Sequence, residues 1–452
     1  MHPDFTDLYS FENQPGDDPL TTARSIIEQG RMHPLQWVAV IITIGLNALD
    51  GFDILASAFA APGIAGEWHI SREALGLVLS MELWGMVAGS IVLGGLTDLA
   101  GRRRTILLCI TVMALGMAMA TTATGPESLS VWRLVTGFGI GGMLTSINAV
   151  AAELSSLKHR SLAMAIMVIG YPLGGVIGGL VVQQLLKGES WRAVFMLGAI
   201  ASAVFIPLVV LFVPETPAFL EQKRPAGALA AINRTFARFR LPALAALAPR
   251  GPETVRPGLL DIVKPGLIGT TTVLTLGYFF HAISFYFILK WAPKIIADFG
   301  HSPSEAAGVL TSANIGGAIG GAVFGVFMQR FGIKRPTLVV LLGSVIGITL
   351  FGSHDKGSTL LIWSIAASLG MVFANAAIVG FYASFAAGFP THVRGTGTGF
   401  ALGIGRLGGA LSPILAGYLF KAQLGLQGVA MVMACGSLVA FGLLARFNLR
   451  PR

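Results

Sequence analysis

The sequence predicts an all-α polytopic membrane protein with twelve transmembrane helices in two pseudosymmetric six-helix bundles. Hydrophobic residues fill 54% of the 452 positions and charged residues only 12%, with a mean hydropathy of +0.74, far from the balance of soluble globular chains. The apolar residues fall into runs of about twenty, the length that crosses a roughly 30 Å hydrocarbon core as a helix. The runs come as six, a polar gap and six more, and similar loop sequences recur 231 residues apart.

Residues 1–35 form a polar segment without a basic stretch followed by a cleavable apolar core, so they read as a cytoplasmic tail and not as a signal peptide. Spans are then expected near 36–62, 71–97, 104–122, 128–151, 160–186 and 191–213, making a first bundle of residues 36–213. Residues 214–263 are the one long polar connection and carry Lys223, Arg224, Arg234, Arg238, Arg240, Arg250 and Arg256, which suits a cytoplasmic hinge loop. The second bundle, 264–446, has spans near 264–291, 303–329, 335–352, 358–388, 395–420 and 426–446, and 447–452 is a short cytoplasmic tail.

Placing both termini in the cytoplasm puts most Lys and Arg of the connections on that side, which fixes the expected orientation in a cell inner membrane. The same bias accounts for the net charge of +9, so no nucleic-acid partner is needed. Cys109 and Cys435 lie one in each half inside apolar runs, excluding a disulfide framework and reading as small buried side chains. Gly174-Gly-Val-Ile-Gly178-Gly179 and Gly316-Gly-Ala-Ile-Gly320-Gly321 look like phosphate loops, but no Lys-Ser or Lys-Thr follows. Small residues at this spacing let transmembrane helices approach closely. No metal-ligand spacing or activated nucleophile occurs, so neither an enzyme nor a metal or cofactor is expected.

Ionisable groups within the bilayer are costly and tend to face protein or water-filled cavities. Asp50, Asp53, Glu82, Arg133, Glu153, His281 and Arg406 are the expected set, with every acid in the first half and His281 and Arg406 in the second. Asp50 and Asp53 stand about one helical turn apart on one face, and two ionised carboxylates so placed repel, which favours holding a proton. Alternatively they join neighbouring helices by hydrogen bonds. Arg133 stays charged and needs one of Asp50, Asp53, Glu82 or Glu153 as partner. His281, at the 231-residue offset from Asp50, is either a packed, hydrogen-bonded residue or a ligand.

The repeat itself reads Gly94-Gly-Leu-Thr-Asp98-Leu-Ala-Gly101-Arg-Arg-Arg104 in the first half and Gly325-Val-Phe-Met-Gln329-Arg-Phe-Gly332-Ile-Lys334-Arg335 in the second. The former resembles the Gly-x-Leu-Ala-Asp-Arg-x-Gly-Arg-Arg motif of the major facilitator superfamily. Arg133-Leu-Val-Thr-Gly137-Phe-Gly139-Ile-Gly141-Gly142 resembles its fourth-helix motif. Leu49-Asp50-Gly51-Phe52-Asp53 in the first span is similar to the aromatic acid:proton symporter family, and the resemblance runs from about Gln36 to the C-terminus. It implies the major facilitator fold and roles for Asp50, Asp53, Asp98, Arg133, Glu153, Arg394 and Arg406. Thr97-Asp98-Leu99 departs from the usual Ala-Asp-Arg, and Glu82 is outside the family pattern.

With that resemblance, the expected function is proton-coupled import of a small organic anion, an aromatic carboxylate of the benzoate type, by alternating access. Asp50, Asp53, Glu82, Arg133 and Glu153 are the expected proton-coupling residues, and Asp98, Arg102, Arg103 and Arg394 the gating residues. An aromatic carboxylate needs one cation and flat apolar walls. Arg406 and His281 are the polar candidates, and Trp84, Tyr278, Phe285, Tyr286, Phe381 and Tyr382 the candidate walls. An aliphatic carboxylate or a sugar on the same machine is the alternative, and a non-transporting membrane sensor a remote one. Protons and the lipid bilayer are the other expected partners, and the chain is expected to act as a monomer.

Overall fold

The computed structural model describes residues 22–248 and 258–447; Arg250, Arg256, the first 21 residues and the end of the C-terminal tail lie outside them. A short helix α1 (Ala23–Gln29) precedes α2 (Pro34–Trp68), α3 (Arg72–Ala100), α4 (Arg102–Ala120), α5 (Pro126–Glu153), α6 (Leu157–Leu185) and α7 (Arg192–Phe212). The connection holds α8 (Pro217–Lys223), α9 (Ala228–Phe239) and a 3₁₀ turn (Leu259–Val263). The second half comprises α10 (Ile268–Asp298), α11 (Pro303–Phe331), α12 (Lys334–Gly352), α13 (Leu360–Gly388), α14 (Arg394–Lys421) and α15 (Gly425–Arg446). Among the described residues, helices α2 to α7 and α10 to α15 are the twelve long and apolar enough to cross a membrane. Their outward faces stay apolar, as at Ile91 (74% exposed), Val326 (67%) and Leu361 (69%), the reverse of a water-soluble surface.

Local signals set the helix starts. Ser71 caps α3 by accepting from the Ala74 N–H at 3.4 Å, and Ser302 caps α11 in a reciprocal box with Glu305. These two helices are both 29 residues long and begin 231 residues apart, so the sequence repeat is also a structural one. Helix α10 extends to Asp298, seven residues beyond the expected end of its span at 291, and α2 reaches Trp68, six residues beyond 62. Both extensions carry charge, Glu67 in α2 and Lys294 and Asp298 in α10, satisfied by ion pairs at the helix ends. The expected tail and hinge also hold helices: Ala23, Ile27, Phe219, Leu220, Ile232 and Phe236 of α1, α8 and α9 form a small separate core.

Glycines set how closely the helices pack. On α3, Gly85 and Gly89 lie against the Leu134 and Phe138 carbonyls of α5, while Gly137 and Gly141 of α5 lie against the Glu82 and Met86 carbonyls of α3. A Cβ at any of the four would collide with backbone, so these two helices meet backbone to backbone. Gly174 of α6 against the Ala48 carbonyl of α2, and Gly320 of α11 against the Val372 carbonyl of α13, repeat the device. Cys109 is fully buried, whereas Cys435 is exposed on the outer surface, contrary to the expectation of burial. α15 turns that position outward, away from the bundle.

Among the described residues, contacts between the halves gather toward one end. There Arg72 pairs with Asp298 at 3.2 Å, Glu73 with Lys421 at 2.7 Å, and the Ser304 hydroxyl donates to the Gln183 carbonyl at 2.6 Å. Gly76 packs against the Pro413 carbonyl, and Gly179 against Thr311. These contacts close the molecule at the Glu67 end.

Candidate functional site

The close α3–α5 crossing places Glu82 directly beside Arg133, since Gly137, one turn past Arg133, is the residue that receives the Glu82 backbone. Both side chains are fully buried and form an ion pair. Arg133 also donates to the Asp53 backbone carbonyl at 2.7 Å and to the Met117 sulfur at 2.9 Å, and its guanidinium lies 5.2 Å over the Phe195 ring. The Ser57 hydroxyl donates to Glu82 Oε2 at 2.9 Å. A third charge completes the cluster: Lys290 of α10, fully buried, pairs with Glu82 and donates to the Ile54 carbonyl. Glu82 thus joins two cations, one from each half of the molecule.

Asp50 and Asp53 lie on the same helix but have different surroundings. Both are buried, at 3% and 0% exposure, and Asp50 Oδ1 and both Asp53 carboxylate oxygens lack a hydrogen-bond donor among the described residues. Asp53 points into the first bundle, in electrostatic reach of Arg133 and beside Gly198 of α7. Asp50 faces the seam between the halves, in reach of Arg406 of α14 and near Tyr171 of α6. Buried carboxylates without donors are rare and call for a proton or a ligand.

Arg406 is partly buried and makes no hydrogen bond or ion pair among the described residues. Tyr171 of the first half and Tyr278 and Tyr286 of the second lie within electrostatic reach of it. Glycines make room for the rings: Gly405 sits against Tyr278, and Gly409 against Tyr286. The Tyr278 and Tyr382 hydroxyls stand 3.5 Å apart, and Tyr278 meets Phe381 and Phe385 edge-on at 5.8 and 5.5 Å. An unpaired guanidinium walled by phenol rings can bind a carboxylate on a flat apolar body.

At the Asp98 end Arg102 gathers its own network within the first half. It pairs with Glu153 at 3.0 Å and Asp98 at 3.5 Å, donates through Nη1 to the Thr97 carbonyl at 3.2 Å, and covers the Phe219 ring at 5.1 Å. Its backbone N–H donates to Glu215 at 2.9 Å, beside Gly101, whose φ of +107° suits glycine alone. Burial holds the Glu215 carboxyl above the usual carboxylate range, against the backbone N–H bonds it accepts from Thr216, Arg102 and Arg103. Arg103 donates to the Val210 carbonyl at 2.6 Å, and Arg394 to the Phe389 carbonyl at 3.4 Å.

The structure therefore divides the expected residues. Glu82, Arg133 and Asp53 come together; Glu153, expected among the proton-linked acids, ends α5 at the Arg102 network instead, because its helix terminates there. His281 is held inside the second bundle by the Ser437 hydroxyl at 3.0 Å and the Ala374 carbonyl at 2.9 Å, and stacks on Phe381, so it reads as a packed histidine. Trp84 packs on the first-half core, and Phe285 meets Tyr286 edge-on at 5.2 Å. Lys290 was missing from the expected set, which gave the second half only His281 and Arg406. The signal was present, since apolar residues continue past Lys290 through Trp291, Ala292, Ile295 and Ile296. With the span expected to end at 291, Lys290 falls one residue inside that end.

Two six-helix bundles, joined around buried charges, define a polytopic membrane transporter. The chain belongs to the Major Facilitator Superfamily, which it matches over residues 43–289 and 274–452. It is similar to the gallate transporter of Pseudomonas putida, 28% identical over 91% of each chain. It is also similar to the benzoate transport protein of Acinetobacter baylyi, 26% identical over 88% of this chain and 86% of that one. Among solved structures, the partially occluded inward-open xylose transporter of E. coli superposes with a TM-score of 0.70 at 14% identity, covering 91% of this chain and 97% of the other, which shows the shared fold.

Proposed function

We propose that this protein is a proton-coupled symporter that imports an aromatic carboxylate across the inner membrane, with both termini and the Asp98 end in the cytoplasm. The observation that carries the reading is Arg406: a cation without an ionic partner among the described residues, facing the seam, ringed by tyrosines and in reach of the buried Asp50. The gallate and benzoate transporters that the chain resembles support the choice of substrate class. Substrate carboxylate binds Arg406 and its ring lies among Tyr171, Tyr278, Tyr286 and Tyr382. Protons are carried on Asp50 and Asp53, with Arg133 sensing the charge on Asp53. The driving force is adequate, since one charge crossing 100 mV is worth about 2.3 kcal/mol and each pH unit about 1.4 kcal/mol.

In proteoliposomes with an acid exterior, radiolabelled benzoate should accumulate, and excess gallate should compete where xylose and succinate do not. Asp53→Asn should abolish accumulation while leaving benzoate exchange. Normal accumulation by the Asn variant would overturn the proton assignment, and competition by xylose alone would overturn the substrate class.

A further inference from the structure

We propose that Lys290 is a second anion site, covered by Glu82 in the state seen here and released to the substrate carboxylate when the halves part at the Glu67 end. The inference rests on the organic-anion reading above and adds a site to it. Lys290 is fully buried on α10, and its recorded polar partners, the Glu82 carboxylate and the Ile54 carbonyl, both belong to the first half. Alternating access requires the Glu67 end to open, and the rigid separation of the halves there takes Lys290 away from both. The loss is one-sided. Glu82 keeps Arg133 and the Ser57 hydroxyl, which ride on the same half, whereas Lys290 is left a bare ammonium facing the new opening.

An uncompensated cation in that place is costly, and an arriving carboxylate relieves the cost. The site therefore exists only while the protein is open at the Glu67 end, the side from which an imported substrate comes. Closure restores Glu82 to Lys290 and expels the carboxylate toward Arg406. The path is short: Tyr286 lies one turn before Lys290 on the same face of α10 and is within electrostatic reach of Arg406. Lys290 and Arg406 are thus cations offered in turn, one in each state, with the Tyr286 ring between them.

The test compares benzoate half-saturation in right-side-out and inside-out membrane vesicles. Lys290→Met should raise the half-saturation concentration about tenfold or more at the Glu67 face, the loss expected for one charge-assisted hydrogen bond, and change it little at the Asp98 face. Lys290→Arg should restore the wild-type value. Lys290→Gln, which keeps a donor for Glu82 and Ile54, should behave as the Met variant does and serves if the latter fails to fold. An unchanged value at the Glu67 face, an equal change at both faces, or a loss of maximal rate alone would overturn the proposal. Absence of benzoate uptake by the wild-type protein would instead overturn the substrate reading on which it rests.

Discussion

Glu82 accepts from Ser57 and Arg133 and pairs with Lys290, on three different helices, and its carboxylate is the only one that either cation pairs with among the described residues. Removing the shared anion leaves two buried cations facing each other, a change that costs about 3–5 kcal/mol where one partner of a buried pair is lost. Glu82→Gln should therefore lower the thermal midpoint in detergent markedly. Adding Lys290→Met should recover much of that loss; if the double variant is no more stable than Glu82→Gln, the two charges are not coupled. The sequence shows Glu82 as an acid inside a span and Arg133 as a cation in need of one. It does not choose among Asp50, Asp53, Glu82 and Glu153, because the choice depends on how far along α3 and α5 the crossing falls. The same limit applies to His281, whose Ser437 and Ala374 partners are 156 and 93 residues away.

At the scale of elements, the α3–α5 pair shows how small residues position chemistry. Gly85 and Gly89 on one helix, with Gly137 and Gly141 on the other, bring the backbones together and thereby bring Glu82 to Arg133. Gly137→Val should push the helices apart at a cost of about 1–3 kcal/mol for overpacking, and should also weaken the ion pair. The expected result is a lower midpoint and loss of benzoate uptake; a Val variant with wild-type transport would show that the close crossing is not needed. These glycines are legible in the sequence as four-residue repeats, though not which helix each one meets. Helices α1, α8 and α9 were not legible, since each is short and its apolar face is completed only by the other two.

For the whole molecule, the state is set by which end carries the contacts between halves. The Arg72–Asp298 and Glu73–Lys421 pairs are partly exposed, so each holds the Glu67 end closed only weakly. Replacing Arg72 and Lys421 by Ala should raise the population open at that end. Spin labels at the exposed Lys187 and Lys356 should then show a longer distance component; an unchanged distribution would mean the remaining contacts, the buried Glu82–Lys290 link among them, hold that end.

Composition, run length and the 231-residue repeat determined by themselves that the chain crosses a membrane twelve times in two matched halves, because the cost of polar groups in lipid and the helical rise act on local sequence. The family resemblance also marked Asp50, Asp53, Asp98, Arg133 and Arg406 as the charges to watch. Tertiary structure decided which charges meet: Arg133 and Lys290 on Glu82, Glu153 on Arg102, and Arg406 among tyrosines from both halves. It also decided which end is closed. Pairings between helices far apart in sequence follow from crossing points and from the relative tilt of two bodies, and neither is encoded in any local run of residues.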